Sequence, residues 1–285
     1  TAHRCQSMRN FKLLEQMNRP WVVAHRGYRG SYPENTLVAF EGAIRANSDM
    51  IELDVSLTRD RIPVVIHDNT LNRTTNGSGR VSEHSLAELK KLDAGSWFST
   101  KFRGEAIPTL EELLISVKGR IAVNIEIKQE SFESPAISNG IESQICEIVE
   151  NLDMVDSVLI SSFEHSFFSR IRKWYQTQGK LTFPRIAPLQ DGPLSENLAL
   201  ELSLRHGAFS YNPDESFVTQ SLIKKLKKGD IGILPYTINN EKRMEQLIQW
   251  GVTGIISDEP ELVWEAIRKQ VPNRVKKNNR FSEKI

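Results

Sequence analysis

The sequence predicts an α/β fold, a TIM (β/α)8 barrel with a small insertion after the second strand. Short runs rich in β-branched residues alternate with longer amphipathic stretches along most of the chain. This alternation is typical of a parallel sheet whose strands are joined by helices. The predicted strands are 21–25, 50–57, 63–67, 120–128, 157–162, 184–189, 208–212, 231–238 and 252–257.

The connections between these strands decide their arrangement. Most are longer than the dozen or so residues that a parallel crossover needs. The exception is Thr58-Arg59-Asp60-Arg61-Ile62, which is long enough only for a hairpin. The segment 63–67 is therefore predicted to run antiparallel to the second strand. Eight parallel strands remain, and eight βα units in roughly 250 residues are typical of a TIM barrel.

The hairpin begins an insertion that we expect to cover residues 57–108, approximately. Two capping boxes, Ser85-x-x-Glu88 and Thr109-x-x-Glu112, predict helix starts within and directly after it. The predicted organisation is an N-terminal helical extension at 1–20, the barrel at 21–271 and a polar, basic tail at 272–285. Apolar residues within 6–18 favour a short helix packed under the barrel.

The composition restricts the class of protein. The 285 residues carry 37 Lys and Arg against 36 Asp and Glu, a net charge of +1, and 39% are hydrophobic. This balance argues against disorder and against a nucleic-acid partner. The apolar runs are shorter than the roughly 20 residues of a membrane span, so no stable membrane insertion is expected. Two cysteines without zinc or disulfide spacing favour a reducing compartment, so we expect a cytoplasmic protein.

The start and the assembly of the protein stay open. The chain begins at Thr1 rather than Met, which leaves room for a removed targeting segment. No oligomer interface is legible in the sequence.

Reactive side chains gather where the strands end. Active sites of this fold lie at the C-terminal ends of the strands. Seven candidates lie on such strands or on the returning hairpin arm: His25, Arg26, Glu52, Asp54, His67, Glu126 and Lys128. Inner barrel strands have no solvated face, so three buried carboxylates among them require compensating cations. A hard divalent metal ion explains their convergence better than two basic side chains do.

Several motifs, in this order, resemble the glycerophosphodiester phosphodiesterase family. They are His25-Arg26-Gly27, Pro33-Glu34-Asn35-Thr36, Glu52-Leu53-Asp54-Val55, His67-Asp68, Arg73-Thr74-Thr75, Glu126-Ile127-Lys128 and Gly254-Ile255-Ile256-Ser257-Asp258. The resemblance extends from about Trp21 to Trp264. It implies a hydrolase that cleaves a small glycerophosphodiester to sn-glycerol 3-phosphate and an alcohol.

The resemblance also implies the roles of individual residues. Glu52, Asp54 and Glu126 would hold one divalent metal ion, Mg²⁺ or Ca²⁺. The general acid and base would be His25 and His67, whose ordinary pKa near 6.5 suits both tasks. The substrate phosphate would be held by Arg26 and Lys128.

Three further residues are supporting candidates. Glu34 and Asn35 are expected to shape the loop after the first strand through hydrogen bonds to His25 or its neighbours. Where many members of the family have Trp-Thr-Val-Asn, this chain has Tyr236-Thr237-Ile238-Asn239, so Tyr236 is expected to affect the leaving-group pocket.

Two alternative functions remain at this stage. A lysophospholipase D or a sphingomyelinase-D-like enzyme would need an apolar trough, for which Trp97, Phe98 and Phe102 are candidates. A non-catalytic glycerophosphodiester-binding protein is the other, although both histidines are present. For the predicted glycerophosphodiester phosphodiesterase, the sequence leaves open which histidine is the base, and whether a cyclic phosphate precedes attack by water. The headgroup preference also stays open.

Overall fold

Eight parallel strands form a nearly closed barrel in the computed structural model, which describes residues 10–279. A ninth strand, β3, pairs with β2 from outside this path. The strands are β1 (Trp21–Ala24), β2 (Met50–Leu57), β3 (Pro63–Val65), β4 (Ala122–Ile127), β5 (Val158–Ser162), β6 (Arg185–Gln190), β7 (Ser210–Pro213), β8 (Gly232–Ile233) and β9 (Gly254–Ser257). Their order around the barrel is β8-β7-β6-β5-β4-β2-β1-β9. The predicted TIM barrel is confirmed.

Backbone hydrogen bonds bring the two ends of this sheet together. The amide of Thr253 donates to the carbonyl of Ile233 at 3.1 Å, and the amide of Ile256 donates to the carbonyl of Pro235 at 3.1 Å. Since β9 also pairs with β1 along its whole length, residues that follow β9 lie beside residues that follow β1.

Ten α-helices occur among the described residues, and most of them cover the outside of the barrel between the strands. They are α1 (Phe11–Leu14), α2 (Leu37–Arg45), α3 (Leu86–Leu89), α4 (Leu110–Val117), α5 (Ile141–Asn151), α6 (Ser166–Thr177), α7 (Glu196–His206), α8 (Gln220–Lys228), α9 (Glu241–Trp250) and α10 (Pro260–Asn279). The largest hydrophobic core cluster among the described residues packs α2, α4, α5 and α6 against the outer faces of β1, β2, β4 and β5. No helix within residues 10–279 has the length and apolar character to cross a bilayer.

The insertion begins with the predicted hairpin. Strand β3 runs antiparallel to β2, with Val55 opposite Val65 and Leu57 opposite Pro63, so that prediction is confirmed. Both predicted capping boxes form, at the starts of α3 and α4. The insertion has its own apolar cluster, which contains Val64, Ile66, Leu71, Val81, Leu89, Ala94 and Ile107.

The lower end of the barrel is closed by apolar side chains. Phe11 and Leu14 of α1 are fully buried against a ring of inward-facing residues that includes Trp21, Met50 and Leu159. Further along β2 and β4 the inward side chains become polar, since Glu52 follows Met50 and Asn124 follows Ala122. The interior of the barrel is therefore apolar at its lower end and polar at its upper end.

Several predicted boundaries differ from the structure. The helix expected within 6–18 is one turn, Phe11–Leu14, and residues 1–9 lie outside the described residues. Strand β8 has two residues where eight were expected. Helix α10 continues to Asn279, so the boundary predicted at 271 falls inside a helix. Residues 280–285 of the predicted tail lie outside the described residues.

Candidate active site

A cavity of about 480 Å³ lies at the C-terminal ends of the barrel strands. Six of the seven candidate residues line it, and the seventh, Asp54, is buried directly beneath with 1% of its surface exposed. The lining residues are His25, Arg26, Glu52, His67, Asn124, Glu126, Lys128, Ser161, Phe163, Leu189, Asp214, Glu215, Ser216, Tyr236, Thr237 and Ile256.

Three carboxylates meet on the floor of this cavity. Residues Glu52 and Asp54 alternate along β2, and the β2–β4 register places Glu126 opposite Asp54. One oxygen from each of the three lies within 4.8 Å of the others. Strand alternation combined with register thus converts three distant sequence positions into one cluster.

The electrostatics of this cluster are strongly perturbed. Burial, and then the negative charges of Asp54 and Glu126, raise the pKa of Glu52 well above its usual range. Burial and the charge of Asp54 raise the pKa of Glu126 to about 7. For Asp54, burial acts in the same direction, but the positive charges of Arg26 and Lys128 outweigh it and lower its pKa to about 2.

This donor set fits a hard divalent cation. The Oδ1 atom of Asp54 is buried and has no hydrogen-bond partner among the described residues. Carboxylate oxygens are the ligands that Mg²⁺ and Ca²⁺ prefer, and a dication would relieve the mutual repulsion of three buried carboxylates. The predicted metal-ligating residues are therefore in positions that suit one ion.

Two basic side chains border the cluster. The ammonium of Lys128 lies 2.9 Å from Oε1 of Glu126 and 3.7 Å from Oδ1 of Asp54. The guanidinium of Arg26 lies 3.2 Å from Oδ2 of Asp54, while its backbone amide donates to Glu52 at 3.0 Å. Both side chains reach the cavity, as a role in holding a phosphate requires.

Each of the two histidines is paired with an aspartate through Nδ1. The Nδ1 atom of His25 lies 2.6 Å from Oδ1 of Asp258, and Nδ1 of His67 lies 2.7 Å from Oδ1 of Asp68. This pairing engages Nδ1 of each ring and leaves Nε2 outside the contact with the aspartate. In His25, Nε2 lies 3.9 Å from Oε2 of Glu52, which places it beside the carboxylate cluster.

Burial lowers the pKa of both histidines below the usual 6.5, and the neighbouring aspartates oppose this shift. For Asp258, burial favours a raised pKa, but the hydrogen bond from His25 and the charge of Arg29 outweigh it and lower the pKa to about 2. The aspartates thus stay ionised and stabilise the imidazolium form of their partners.

The supporting candidates from the first loop lie behind the site. The side-chain amide of Asn35 donates to Oδ2 of Asp54 at 2.9 Å. The carboxylate of Glu34 is almost fully buried and contacts three guanidinium groups, those of Arg26, Arg29 and Arg73. Glu34 therefore holds the neighbour of His25, as expected from the sequence, but its charge is satisfied by three arginines rather than by a metal ion.

The cavity lining also includes four apolar or aromatic side chains, Phe163, Leu189, Tyr236 and Ile256, among polar ones such as Asp214, Ser216 and Thr237. The hydroxyl of Tyr236 donates to the carbonyl of Gln190 at 3.0 Å, and its ring meets that of Phe163 edge-on at 6.2 Å. Tyr236 thus lines the cavity, and its effect on a leaving-group pocket stays a prediction.

The three aromatic residues considered for an acyl trough lie elsewhere. None of Trp97, Phe98 and Phe102 lines the cavity. Phe102 is buried against Tyr32 at a ring distance of 5.6 Å, and Phe98 packs on Phe102. These candidates for the trough of the alternative function therefore do not contribute to this cavity, and Phe102 instead joins the insertion to the loop after β1.

The site also agrees with what known proteins show. A model of the glycerophosphoryl diester phosphodiesterase family matches residues 25–262. A glycerophosphodiester phosphodiesterase of Caldanaerobacter subterraneus subsp. tengcongensis is 39% identical over 253 residues, which cover 87% of this chain and 98% of that protein. This chain belongs to the glycerophosphoryl diester phosphodiesterase family. The family and the enzyme class predicted from the sequence are confirmed.

More distant members agree in sequence and in fold. Glycerophosphodiester phosphodiesterase 1 of Homo sapiens is 28% identical over 259 residues, covering 82% of this chain and 76% of the human protein. An Oleispira antarctica phosphodiesterase, solved in complex with the product sn-glycerol-3-phosphate, superposes with a TM-score of 0.73. It is 28% identical, and the match covers 88% of this chain and 97% of that one.

Sequence reasoning gave no role to four residues around this family's site. They are the partner of each histidine, Asp258 and Asp68, and the groups that hold them, Asn239 and Arg73. The contacts of Asp258 with His25 and of Arg73 with Glu34 join distant parts of the chain, whereas Asp68 directly follows His67 and its position in the sequence was a signal for its role. Closure of the barrel is the signal that points to Asp258, because it brings the end of β9 beside the end of β1.

Proposed function

We propose that this phosphodiesterase hydrolyses glycerophosphodiesters to sn-glycerol 3-phosphate and an alcohol, with His25 and His67 as general acid and base. The observation that supports this most directly is the pairing of both histidines with aspartates at Nδ1 around one cavity. A binding protein has no need of two oriented imidazoles beside a carboxylate cluster. The solved product complex of the related Oleispira antarctica phosphodiesterase supports the same class of product.

A divalent metal ion is part of this proposal. Glu52, Asp54 and Glu126 would hold it, and Mg²⁺ and Ca²⁺ both suit three carboxylates. When bound, the ion supplies positive charge that neutralises the phosphoryl oxygens as negative charge builds on them.

Protein groups supply the rest of the charge stabilisation and the proton transfers. Lys128 and Arg26 face the cavity as a point charge and a fork, and both are favoured beside a phosphodiester anion. One histidine takes a proton at Nε2 from the attacking oxygen, and the other gives a proton from Nε2 to the leaving alkoxide. The aspartate at each Nδ1 fixes the tautomer and the ring orientation that these transfers need.

The observed cavity favours a small diester over a lysophospholipid. Only four of the sixteen lining residues are apolar or aromatic, Phe163, Leu189, Tyr236 and Ile256, and the aromatic residues of the insertion are not among them. We therefore expect glycerophosphocholine or a similar headgroup diester to be turned over faster than lysophosphatidylcholine.

A headgroup panel with metal titration tests the proposal. Purified protein is stripped with chelator and assayed for release of sn-glycerol 3-phosphate from several glycerophosphodiesters as Mg²⁺ or Ca²⁺ is added. Activity should vanish in chelator and return with the ion, and His67→Ala should abolish turnover while the protein stays folded. Full activity in excess chelator contradicts the metal assignment, and near wild-type turnover by His67→Ala removes that residue from the mechanism.

A further inference from the structure

The two histidines of the site are held in different ways. His25 follows β1 directly, and its partner Asp258 follows the adjacent strand β9. His67 instead lies at the end of the hairpin arm outside the barrel, and its partner is the next residue, Asp68. Side chains of His67 and Asp68 are 31% and 25% exposed, against 12% and 18% for His25 and Asp258. The amide of Ile66 donates to the carbonyl of Asp54 at 3.0 Å and attaches the backbone of this arm to β2. The side chains of His67 and Asp68 still need an anchor of their own.

Arg73 provides that anchor on one side. Its Nε donates to Oδ2 of Asp68 at 2.7 Å, and its Nη2 donates to Oδ1 of Asp68 at 2.9 Å. The same Oδ1 lies 2.7 Å from Nδ1 of His67. Two parallel hydrogen bonds from a planar guanidinium fix the plane of a carboxylate, so they also fix the direction in which Oδ1 meets the imidazole.

Arg73 also donates hydrogen bonds to Glu34 in the loop that follows β1. Nη1 donates to Oε2 of Glu34 at 2.9 Å, and Nη2 donates to Oε1 at 2.8 Å. Only 1% of the Glu34 side chain is exposed, and its Oε1 also accepts from Nη1 of Arg26 at 2.9 Å. Hydrogen bonds to Glu34 and then to Asp68 raise the pKa of Arg73, so the clamp stays charged throughout the working pH range.

We propose that Arg73 is a positioning residue of the phosphodiesterase: it clamps Asp68 onto His67 and ties this pair to Glu34, which holds Arg26. The inference rests on the proposed function, since it assumes that His67 transfers a proton. Arg73 is not among the residues that line the cavity or form the carboxylate cluster, so its effect on turnover passes through Asp68. Glu34 keeps Arg26 and Arg29 as partners when Arg73 is lost. Loss of Arg73 leaves the carboxylate of Asp68 without its clamp and lets the imidazole of His67 rotate, while the hairpin arm stays paired with β2.

Kinetics of Arg73 variants give the first test. Arg73→Ala should lower kcat roughly 10- to 100-fold, the usual effect of removing a residue that orients a functional histidine, with KM nearly unchanged. Arg73→Lys should recover only part of the loss, because an ammonium cannot make two parallel bonds to Asp68. Arg103→Ala, an exposed arginine of the same insertion, is the matched control and should keep wild-type kcat.

Chemical rescue distinguishes positioning from a general structural role. The Arg73 side chain is 39% exposed, so a free guanidinium ion can reach the place that Arg73→Ala vacates. Millimolar guanidinium should raise kcat of Arg73→Ala, while sodium at the same ionic strength should not. Guanidinium should not raise kcat of Asp68→Asn, because in that variant the changed group is the acceptor at position 68 and not the guanidinium.

A double-mutant cycle completes the test. If Arg73 acts through Asp68, the variant that combines Arg73→Gln with Asp68→Asn should be no slower than the slower single variant. Multiplying losses, or a wild-type kcat in folded Arg73→Ala, overturns the inference while His67→Ala stays inactive. Substantial activity in His67→Ala would instead overturn the proposed function itself. If Arg73→Ala proves unstable, the thermal midpoint reveals it, and the same comparisons are made with Arg73→Lys.

Discussion

Asp258 lies 2.6 Å from Nδ1 of His25, although 233 residues separate the two in the chain. Their contact exists because β9 closes the barrel beside β1, with Ser257 opposite Ala24. Asn239 donates to the other oxygen of Asp258 at 2.8 Å and keeps the carboxylate in place. The orientation of one imidazole is therefore a direct product of barrel closure.

Removal of the charge on Asp258 should slow the reaction without unfolding the protein. Asp258→Asn keeps the shape of the side chain but no longer stabilises the imidazolium of His25, so we expect kcat to fall roughly 10- to 100-fold. Steady-state kinetics on glycerophosphocholine measures this. Asp156→Asn, an exposed aspartate, is the control. A variant at position 258 with unchanged kcat would show that His25 needs no such partner.

The same aspartate predicts a pH dependence of stability. Its pKa is lowered to about 2 in the folded protein from an ordinary value of 3.8. Its ionised form therefore contributes stability above pH 3.8, and that contribution is lost as the pH falls from 3.8 to about 2. Urea unfolding at several pH values should give a difference between wild type and Asp258→Asn that is constant near neutrality. The difference should shrink in the acid range, and a constant difference down to the acid limit contradicts the assigned shift.

Metal binding should be visible as thermal stabilisation, independent of turnover. A ligand at 100 times its Kd stabilises the folded state by about 2.7 kcal/mol, so saturating Mg²⁺ or Ca²⁺ should raise Tm measurably. Glu52→Gln removes one ligand charge and should lose most of this rise. The metal-free variant should be at least as stable as metal-free wild type, because one source of repulsion with Asp54 and Glu126 is gone. An equal rise in Tm for both proteins would contradict the assigned ligand set.

Features of the fold and the site that depend on residues close together in the sequence could be predicted, whereas contacts between distant segments could not. Glu52 and Asp54 are two residues apart on one strand, so the sequence predicted that their side chains lie on the same face. The five-residue link before residue 63 was equally local and predicted the antiparallel β3 correctly. The length of β8 was wrong because only two residues there make the ladder, while the following segment reaches β9 by single hydrogen bonds.

The contacts between loops could not be predicted in the same way. Arg73 and Glu34 stand in different segments, and nothing in either segment indicates that one guanidinium joins Glu34 to Asp68. Phe102 was a candidate for the acyl trough that the alternative function would need, but it packs on Tyr32. Several residues of the same type could make each of these contacts, and tertiary packing decides which one does. The local sequence around a residue does not show this packing.

Tyr236 offers a test of the cavity wall. Its hydroxyl donates to the carbonyl of Gln190 at 3.0 Å, so Tyr236→Phe leaves that carbonyl without this partner. We expect a loss of about 1 kcal/mol in the free energy of unfolding, the usual net value of one such hydrogen bond. The ring remains against Phe163, so KM for small headgroups should change little. A large loss of kcat with unchanged stability would instead mean that the hydroxyl contacts the substrate.

Phe11 tests whether the closed lower end of the barrel is independent of the chemistry at the upper end. Its ring is fully buried and meets Phe209 at 5.3 Å and Trp21 at 6.0 Å. Phe11→Ala should lower the free energy of unfolding by about 3 kcal/mol, since it leaves a cavity between rigid strands. Leu13→Ala on the same helix is the matched control, because that side chain is 37% exposed and should cost little. Below the melting temperature, kcat of Phe11→Ala should equal that of wild type, because the carboxylates and histidines lie at the opposite strand ends. A parallel fall in kcat would show that packing under the barrel sets the geometry of Glu52 and Glu126 through β2 and β4.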